Sequence, residues 1–330
     1  MATEPPLLLV SMDADPERRR IISNVIATSA KIVYLDDVGE TDRSQVLAQA
    51  TALLSRNTAK ELHPGEIQLL KNARLVQYVS AGVDFIPLND FPSTAAIAGN
   101  GGAYAEPMAE HAVAMALAAY KRVIVEHHEL AAGTFNQFTP NRMLAGSLCG
   151  ILGFGGIGIE TARLMRALGV EVHAINRSGK TDQPVDWIGT TSQINELLER
   201  ADIIVLSLPL TPATNELIGA SELRRMKDDA VLINLARGEI IQERAFYEHL
   251  SATPSFTACI DAWWIEPVRH GRFEMSFPFL DLNNVIASPH NSATVAGWQP
   301  IALRRAVENV ARLFRGQGAR YIVPDADRMM

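Results

Sequence analysis

The chain has 330 residues, 48% of them hydrophobic, and a formal net charge of −7. That length exceeds one ordinary domain and fits two with substantial cores. Acids and bases are interspersed without a basic stripe, which argues against nucleic acid as a main partner, and no uninterrupted apolar run reaches membrane-spanning length. Leu7 to Ser11 reads as a short apolar strand and Arg18 to Thr28 as a helix. Further strands are expected at Lys31 to Leu35, Ala50 to Ser55, Leu75 to Ser80 and Thr94 to Ala98. Pro107 is expected to start one long helix running towards Glu129, because a proline's missing N–H costs nothing in a first turn. Ala131 to Gly146 has no clear period and reads as a surface loop or an arm between subunits.

From Leu148 the alternation becomes regular. Strands are expected at Leu148 to Leu152, Val170 to Ile175, Ile203 to Leu208, Val231 to Leu235, Ala258 to Ile260 and Val285 to Ala287. A helix is expected from Ile159 to Leu168, and a last one from Pro300 to Phe314 before a polar tail. Short strands separated by helical segments predict an α/β protein with parallel sheets. Cys149 and Cys259 lie in apolar strands and read as buried thiols, which points to the cytoplasm rather than to a disulfide framework. Met1 to Met12 carries Glu4 and two prolines around a short apolar stretch, unlike a signal peptide. No metal is demanded: His127 and His128 are adjacent on a helix, so their side chains diverge.

Three groups of residues carry chemistry. The first is Gly153, Phe154, Gly155, Gly156, Ile157 and Gly158, set between an apolar strand and a helix. Gly153 permits a tight turn, Gly155 lets backbone approach a pyrophosphate, and Gly158 allows close helix–strand packing. The helix N-terminus adds free N–H groups and the positive end of a dipole. The second group ends the next strand, where an NAD site usually places an acid. Here Asn176 stands in that place, followed by Arg177, Ser178 and Lys180. Positive charge without a repelling acid suits the 2′-phosphate of NADP, so NADP is preferred and NAD is the alternative. Two blander readings stay open: a solvated turn, or Arg177 stacking on adenine. The third group is Arg237, Glu266 and His290, each just after an expected strand. The histidine suits proton transfer near neutral pH. A carboxylate beside it would orient it and favour its protonated form. A fixed guanidinium could hold a substrate carboxylate and polarise a neighbouring carbonyl. Taken singly, each also fits a surface, loop or capping role.

In order and spacing, Gly153 to Gly158, Asn234 to Gly238, Asp261 to Pro267 and Pro289-His290 resemble the D-2-hydroxyacid dehydrogenase family, over nearly the whole chain. The resemblance implies two Rossmann-like parallel-sheet α/β domains: a flavodoxin-like substrate domain at 1–106 plus 292–330, and an inserted NAD(P)-binding Rossmann domain at 107–291. It implies hydride transfer between the cofactor and a small 2-oxo or 2-hydroxy acid such as glyoxylate or hydroxypyruvate. The family's catalytic arginine, glutamate and histidine fall on Arg237, Glu266 and His290. Val79, Ser80, Ala81 and Gly82 match the loop that holds the substrate carboxylate, with Asp84 a structural acid behind it. Met108 matches a residue near the nicotinamide. Leu208, Pro209, Leu210 and Thr214 match the segment under the cofactor, and Leu235 and Ala236 match backbone contacts to nicotinamide ribose and ring. Asp261 matches the residue receiving the nicotinamide carboxamide. Relatives are usually homodimers. Tyr104, Trp263-Trp264 and the stretch Arg269 to Phe279 depart from the usual pattern, and line a pocket or simply pack in a core. Two other functions keep the same triad: a nucleotide-sensing corepressor, and oxidation of an inorganic acid such as phosphite.

Overall fold

The structure is a computed structural model and describes residues 5–328. The leader reading rests partly on residues 1–4, which lie outside the described residues. The chain divides into two units: one runs up to Ala103 and resumes at Val295, and the other spans Tyr104–Thr294. The divisions expected from sequence were 106/107 and 291/292.

The first unit holds a parallel sheet of β1 (Leu7–Val10), β2 (Lys31–Tyr34), β3 (Ala52–Ser55), β4 (Leu75–Tyr78) and β5 (Ala96–Ala98), in the order β2-β1-β3-β4-β5. That is the flavodoxin-like order, in which the chain reverses direction across the sheet between its first and third strands. The central strands are apolar on both sides because both faces are covered. Leu7, Leu9, Leu53, Val76 and Ile97 point to one core, joined there by Leu47 of α2 (Glu40–Gln49). Leu8, Val10, Leu54, Leu75 and Ala98 point to the other. Ile22 and Ile26 of α1 (Pro16–Ile26) and Leu303, Val307 and Val310 of the C-terminal α11 (Trp298–Phe314) close that second face. The short α3 (Thr58–Glu61) follows β3. The tail expected to be merely polar returns to the sheet edge: Ile322 bridges Ala98 in antiparallel fashion, and Val323 N–H donates to Ile97 O at 2.8 Å.

The second unit contains β6 (Leu148–Leu152), β7 (Glu171–Ile175), β8 (Trp187–Gly189), β9 (Ile203–Leu206), β10 (Val231–Asn234), β11 (Thr257–Ile260) and β12 (Val285–Ala287). All are parallel, in the order β12-β11-β10-β9-β6-β7-β8. Counted from β6, this is the doubly wound 3-2-1-4-5-6 order with one strand added, and its switch point lies between β6 and β9. Cys149, Ile151, Val172, Val205 and Ile233 pack with Met108, Met115 and Tyr120 of α4 (Ala105–Tyr120). Burial pushes the Cys149 thiol up to about 12, and both cysteines are buried free thiols.

The long helix expected from Pro107 to Glu129 is two helices. α4 ends at Tyr120, Arg122 takes a left-handed φ of 53°, and α5 (Val123–Ala131) starts anew. Lys121 N–H still donates to Leu117 O at 2.9 Å, and its Nζ donates to Arg142 O at 2.7 Å. The helix after the glycine turn, α6, starts at Gly156 and ends at Ala167 (Gly156–Ala167), earlier than the expected Ile159. Between β8 and β12 lie α7 (Ile194–Arg200), α8 (Ala220–Leu223), α9 (Glu243–Ala252) and α10 (Pro267–His270). Among the described residues, no helix is long and apolar enough to cross a membrane.

Candidate active site

In open α/β sheets, functional groups gather beyond the carboxyl ends of strands near the switch point. In the second unit β6 ends there in the glycine turn. Gly153 has φ 100°, which disfavours any L side chain, and an added Cβ would meet Ser207 and Leu208 backbone at 2.8 Å. The turn is held from both sides. Gly153 N–H donates to Ile175 O at 3.0 Å, and Ser207 Oγ donates to Gly153 O at 2.7 Å. At Gly158 an added Cβ would lie 2.3 Å from Gly153 O, so the helix can sit this close to the strand only with glycine there. Gly155, by contrast, is exposed and faces open space. Among the described residues no side chain caps α6, and N–H groups at such a helix start are suited to an anionic ligand. Phe154 is buried, and Gly156 and Ile157 are half-buried.

β7 ends in a self-contained loop. Asn176 Oδ1 accepts from Ser178 N–H at 3.0 Å and from Gly179 N–H at 2.7 Å, while its Nδ2 donates to Lys180 O at 2.8 Å. The asparagine therefore shapes the turn with its own side chain. Arg177, Ser178 and Lys180 stand exposed around it. Thr214 Oγ1 donates to Pro209 O at 2.7 Å and accepts from Thr211 N–H at 2.8 Å, folding the segment after β9 into a tight loop. Leu208 and Pro209 are partly or fully exposed on it, and Leu210 is buried.

Arg237, Glu266 and His290 follow β10, β11 and β12 in the same unit. Asn234 fixes the first of these turns: its Oδ1 accepts from Ala236 N–H at 3.0 Å and its Nδ2 donates to Arg237 O at 2.9 Å. Leu235 and Ala236 are buried, and Arg237 is half-buried. Gly238 lies against the Trp263-Trp264 peptide, where a Cβ would be 2.4 Å from backbone. Glu266 is 6% exposed. It caps α10, whose first residue is Pro267. His290 Nδ1 lies 2.8 Å from both Glu266 oxygens, and Trp263 N–H donates to Glu266 Oε1 at 2.8 Å. Burial alone would raise this carboxyl. The hydrogen bond and charge of His290, the Trp263 N–H and the charge of Arg237 outweigh burial and hold it below the usual carboxylate range. His290 itself adopts a left-handed φ of 50°, and its N–H donates to Asp261 O at 2.9 Å. With Nδ1 committed to Glu266, Nε2 is the ring atom available to exchange a proton.

Asp261 is fully buried behind β11. Its Oδ1 accepts from Ser288 Oγ at 2.6 Å and from Asn291 N–H at 3.1 Å. Its Oδ2 is buried with no hydrogen-bond partner among the described residues. A buried acceptor left bare is costly unless a ligand donor completes it. Asp261 Oδ2, the open approach to Gly155 and the uncapped α6 together fit a dinucleotide carrying a carboxamide. Met108 is buried in the core of this unit. Trp263 and Trp264 also pack inward. Trp264 stacks on Phe279 at 5.3 Å and its indole N–H donates to Ile241 O, while Trp263 meets Phe273 edge-on at 5.5 Å and its indole N–H donates to Ser288 O. Tyr104 packs half-buried against the core.

Val79, Ser80, Ala81 and Gly82 lie in the first unit, just beyond β4. Asn100 ties them down: its N–H donates to Ser80 O at 2.8 Å and its Nδ2 to Val79 O at 3.1 Å. Ser80 Oγ is buried without a partner among the described residues. Sequence reasoning missed His111, whose Nε2 lies 3.1 Å from Ser288 Oγ although 177 positions separate the two residues. No local spacing signals such a pairing. Only the packing of α4 against the sheet creates it.

A family model described as D-isomer specific 2-hydroxyacid dehydrogenase, NAD binding domain, matches residues 113–292. A hydroxypyruvate reductase of Thermotoga maritima is 28% identical over 83% of this chain and 87% of its own length. A glyoxylate reductase of Aeropyrum pernix is 28% identical over 94% of both chains. In fold, the chain is similar to a D-isomer specific 2-hydroxyacid dehydrogenase from Xanthobacter autotrophicus solved with NADPH and MES. The TM-score is 0.80, with 21% identity over 98% of each chain.

Proposed function

Because this chain belongs to the D-isomer specific 2-hydroxyacid dehydrogenase family, we propose that it is an NADPH-preferring reductase of a short 2-oxo acid such as glyoxylate or hydroxypyruvate. The carrying observation is the His290–Glu266 pair at 2.8 Å beside Arg237. The cofactor supplies a hydride to C2 of the acid. Gly153 to Gly158 would take its pyrophosphate, Asp261 Oδ2 its carboxamide N–H, and Arg177, Ser178 and Lys180 the 2′-phosphate. Leu208, Pro209, Thr214, Leu235, Ala236 and Met108 are assigned to it on the family's pattern.

His290 gives its Nε2 proton to the oxygen at C2 in reduction and takes it back in oxidation. Glu266 fixes the ring orientation and balances the imidazolium charge. Arg237 holds the carboxylate and polarises the carbonyl as negative charge develops on its oxygen. Val79, Ser80, Ala81 and Gly82 are assigned to the same carboxylate. The absence of an acid at the end of β7, with Arg177 and Lys180 exposed there, supports NADP over NAD. The hydroxypyruvate reductase and glyoxylate reductase among the relatives support a short acid, while others are named for D-3-phosphoglycerate and 4-methyl-2-oxopentanoate.

Initial rates with NADPH and NADH across a panel of small 2-oxo acids test this reading. NADPH-dependent turnover of glyoxylate or hydroxypyruvate at ordinary enzymatic rates supports it. A strong NADH preference would sink the cofactor assignment, and absence of turnover on every acid would sink the substrate class.

A further inference from the structure

Asp261 can serve a ligand through Oδ2 only if its carboxylate is held in one rotation, and the structure shows what holds it. Ser288 has a single hydroxyl proton, and it is directed at Asp261 Oδ1 at 2.6 Å. Its oxygen must therefore accept from His111, whose Nε2 lies 3.1 Å away. The same Nε2 is 3.9 Å from Asp261 Oδ1, on the side already occupied by Ser288 and Asn291 N–H. Ser288 is itself pinned: its N–H donates to Ile260 O at 2.9 Å, and its carbonyl accepts from Trp263 Nε1 at 2.9 Å. Every donor that reaches Asp261 falls on Oδ1, and Oδ2 has none among the described residues. This asymmetry is what a carboxylate needs in order to present one oxygen, fully desolvated, to a neutral N–H donor.

We propose that His111 and Ser288 are positioning residues for cofactor recognition: a donor chain from α4 through the Ser288 hydroxyl locks Asp261 so that Oδ2 stays bare for the carboxamide N–H of the nicotinamide. The inference rests on the assignment of Asp261 to that group. It adds that the selectivity for an amide at this point is set partly on α4, by a side chain that does not itself meet the cofactor. Replacing His111 by an apolar residue leaves Ser288 Oγ without its donor. The hydroxyl and the carboxylate are then free to rotate, and Oδ2 is no longer reserved.

The test compares binding of NADPH with that of its reduced 3-acetylpyridine counterpart, in which a methyl group replaces the amide NH2. Dissociation constants are measured by titration calorimetry, so no turnover is required. The parent protein should favour the amide by roughly tenfold or more, the worth of one hydrogen bond to a carboxylate. Asp261→Ala should abolish that preference. His111→Leu and Ser288→Ala should each remove most of it while changing affinity for the acetyl analogue little. His111→Gln, which keeps an N–H donor at the same reach, should retain it. Full amide preference in His111→Leu and Ser288→Ala, with loss in Asp261→Ala, overturns the positioning role and leaves the Asp261 assignment standing. Amide preference surviving in Asp261→Ala overturns both. If His111→Leu does not fold, Ser288→Ala and His111→Gln carry the comparison alone.

Discussion

At the scale of single residues, the His290–Glu266 contact sets the chemistry and the acid limit of the fold together. Both Glu266 oxygens reach Nδ1, and Oε1 also accepts the Trp263 N–H. Each of these bonds favours the ionised carboxylate. His290→Ala should lower reduction of a 2-oxo acid by about two to four orders of magnitude, while cofactor affinity stays within a few-fold. A parent-like rate in stopped-flow turnover would exclude His290 as the acid. Because the folded state holds Glu266 below its unfolded value, its ionisation contributes stability that is complete above the ordinary glutamate range of about pH 4. That contribution is lost as pH falls through the lower folded value. Glu266→Gln should therefore be less stable than the parent at neutral pH, with the gap closing in acid. Denaturant unfolding at both pH values measures it, and an unchanged gap would show that the pair contributes no linked stability. Arg177 gives a separate residue-scale expectation. Arg177→Ala should weaken NADPH binding by about tenfold, as the loss of one charge-assisted contact to a phosphate would. NADH binding should be little changed, and equal losses for both cofactors would mean that the side chain reads adenine.

At the scale of elements, the strand–turn–helix of β6 and α6 depends on atoms that a methyl group would displace. Gly158→Ala places a Cβ where Gly153 O now sits at 2.3 Å. The helix must move off the strand, at a cost of about 1–3 kcal/mol of the overpacking kind. Cofactor affinity should fall with it, since the same movement displaces the N–H groups at Gly155 and Gly156. Thermal unfolding and calorimetric titration of one variant report both effects, and a parent-like affinity would uncouple the turn from the cofactor. This element was legible in the sequence because its constraints are local: a positive φ at Gly153 and a contact five residues on both follow from glycine spacing. The apolar strands were legible for a related reason, since their two buried faces leave no polar alternation to confuse. Helices α2, α7 and α9 and the short β8 were not legible. Leu47 and the polar Arg43 are the two buried residues of α2, and Trp187 joins β8 through pairing with His173. Such elements are decided by what they pack against rather than by their own pattern. The division of α4 from α5 has the same origin. Nothing in Tyr120-Lys121-Arg122-Val123 breaks a helix; the break falls at Arg122, whose φ is 53°, next to the contact of Lys121 Nζ with a carbonyl 21 positions away. The cradle around Asp261 was half legible. Asp261 and His290 carry the family pattern, whereas the link to His111 exists only in three dimensions.

At the scale of the whole molecule, the two units have separate cores, and the second carries apolar surface that neither of its own layers uses. Met108, Val113 and Met115 lie in or against the core of α4, and so account for the burial of that helix. The next segment behaves differently. Val123 is 53% exposed, Leu130 58%, Phe135 76%, Phe138 88% and Met143 67%. No regular element lies between α5 and β6, so the later part of this segment has no ladder to hold it. Scattered exposed hydrophobics are ordinary, but six large ones within one short stretch, Ile124 at 40% among them, are what a self-association surface would use. We propose that a second copy of the chain covers it, since a closed two-fold pair is the commonest way for one such surface to cover itself. The protein should sediment as a dimer at micromolar concentration. Phe135→Asp with Phe138→Asp should shift it to monomer while leaving the far-ultraviolet spectrum unchanged, because neither side chain belongs to a core. A parent that is monomeric throughout the concentration range would remove the proposed partner. A double variant that stays dimeric would move the interface off this segment, to surfaces made by the regular elements alone.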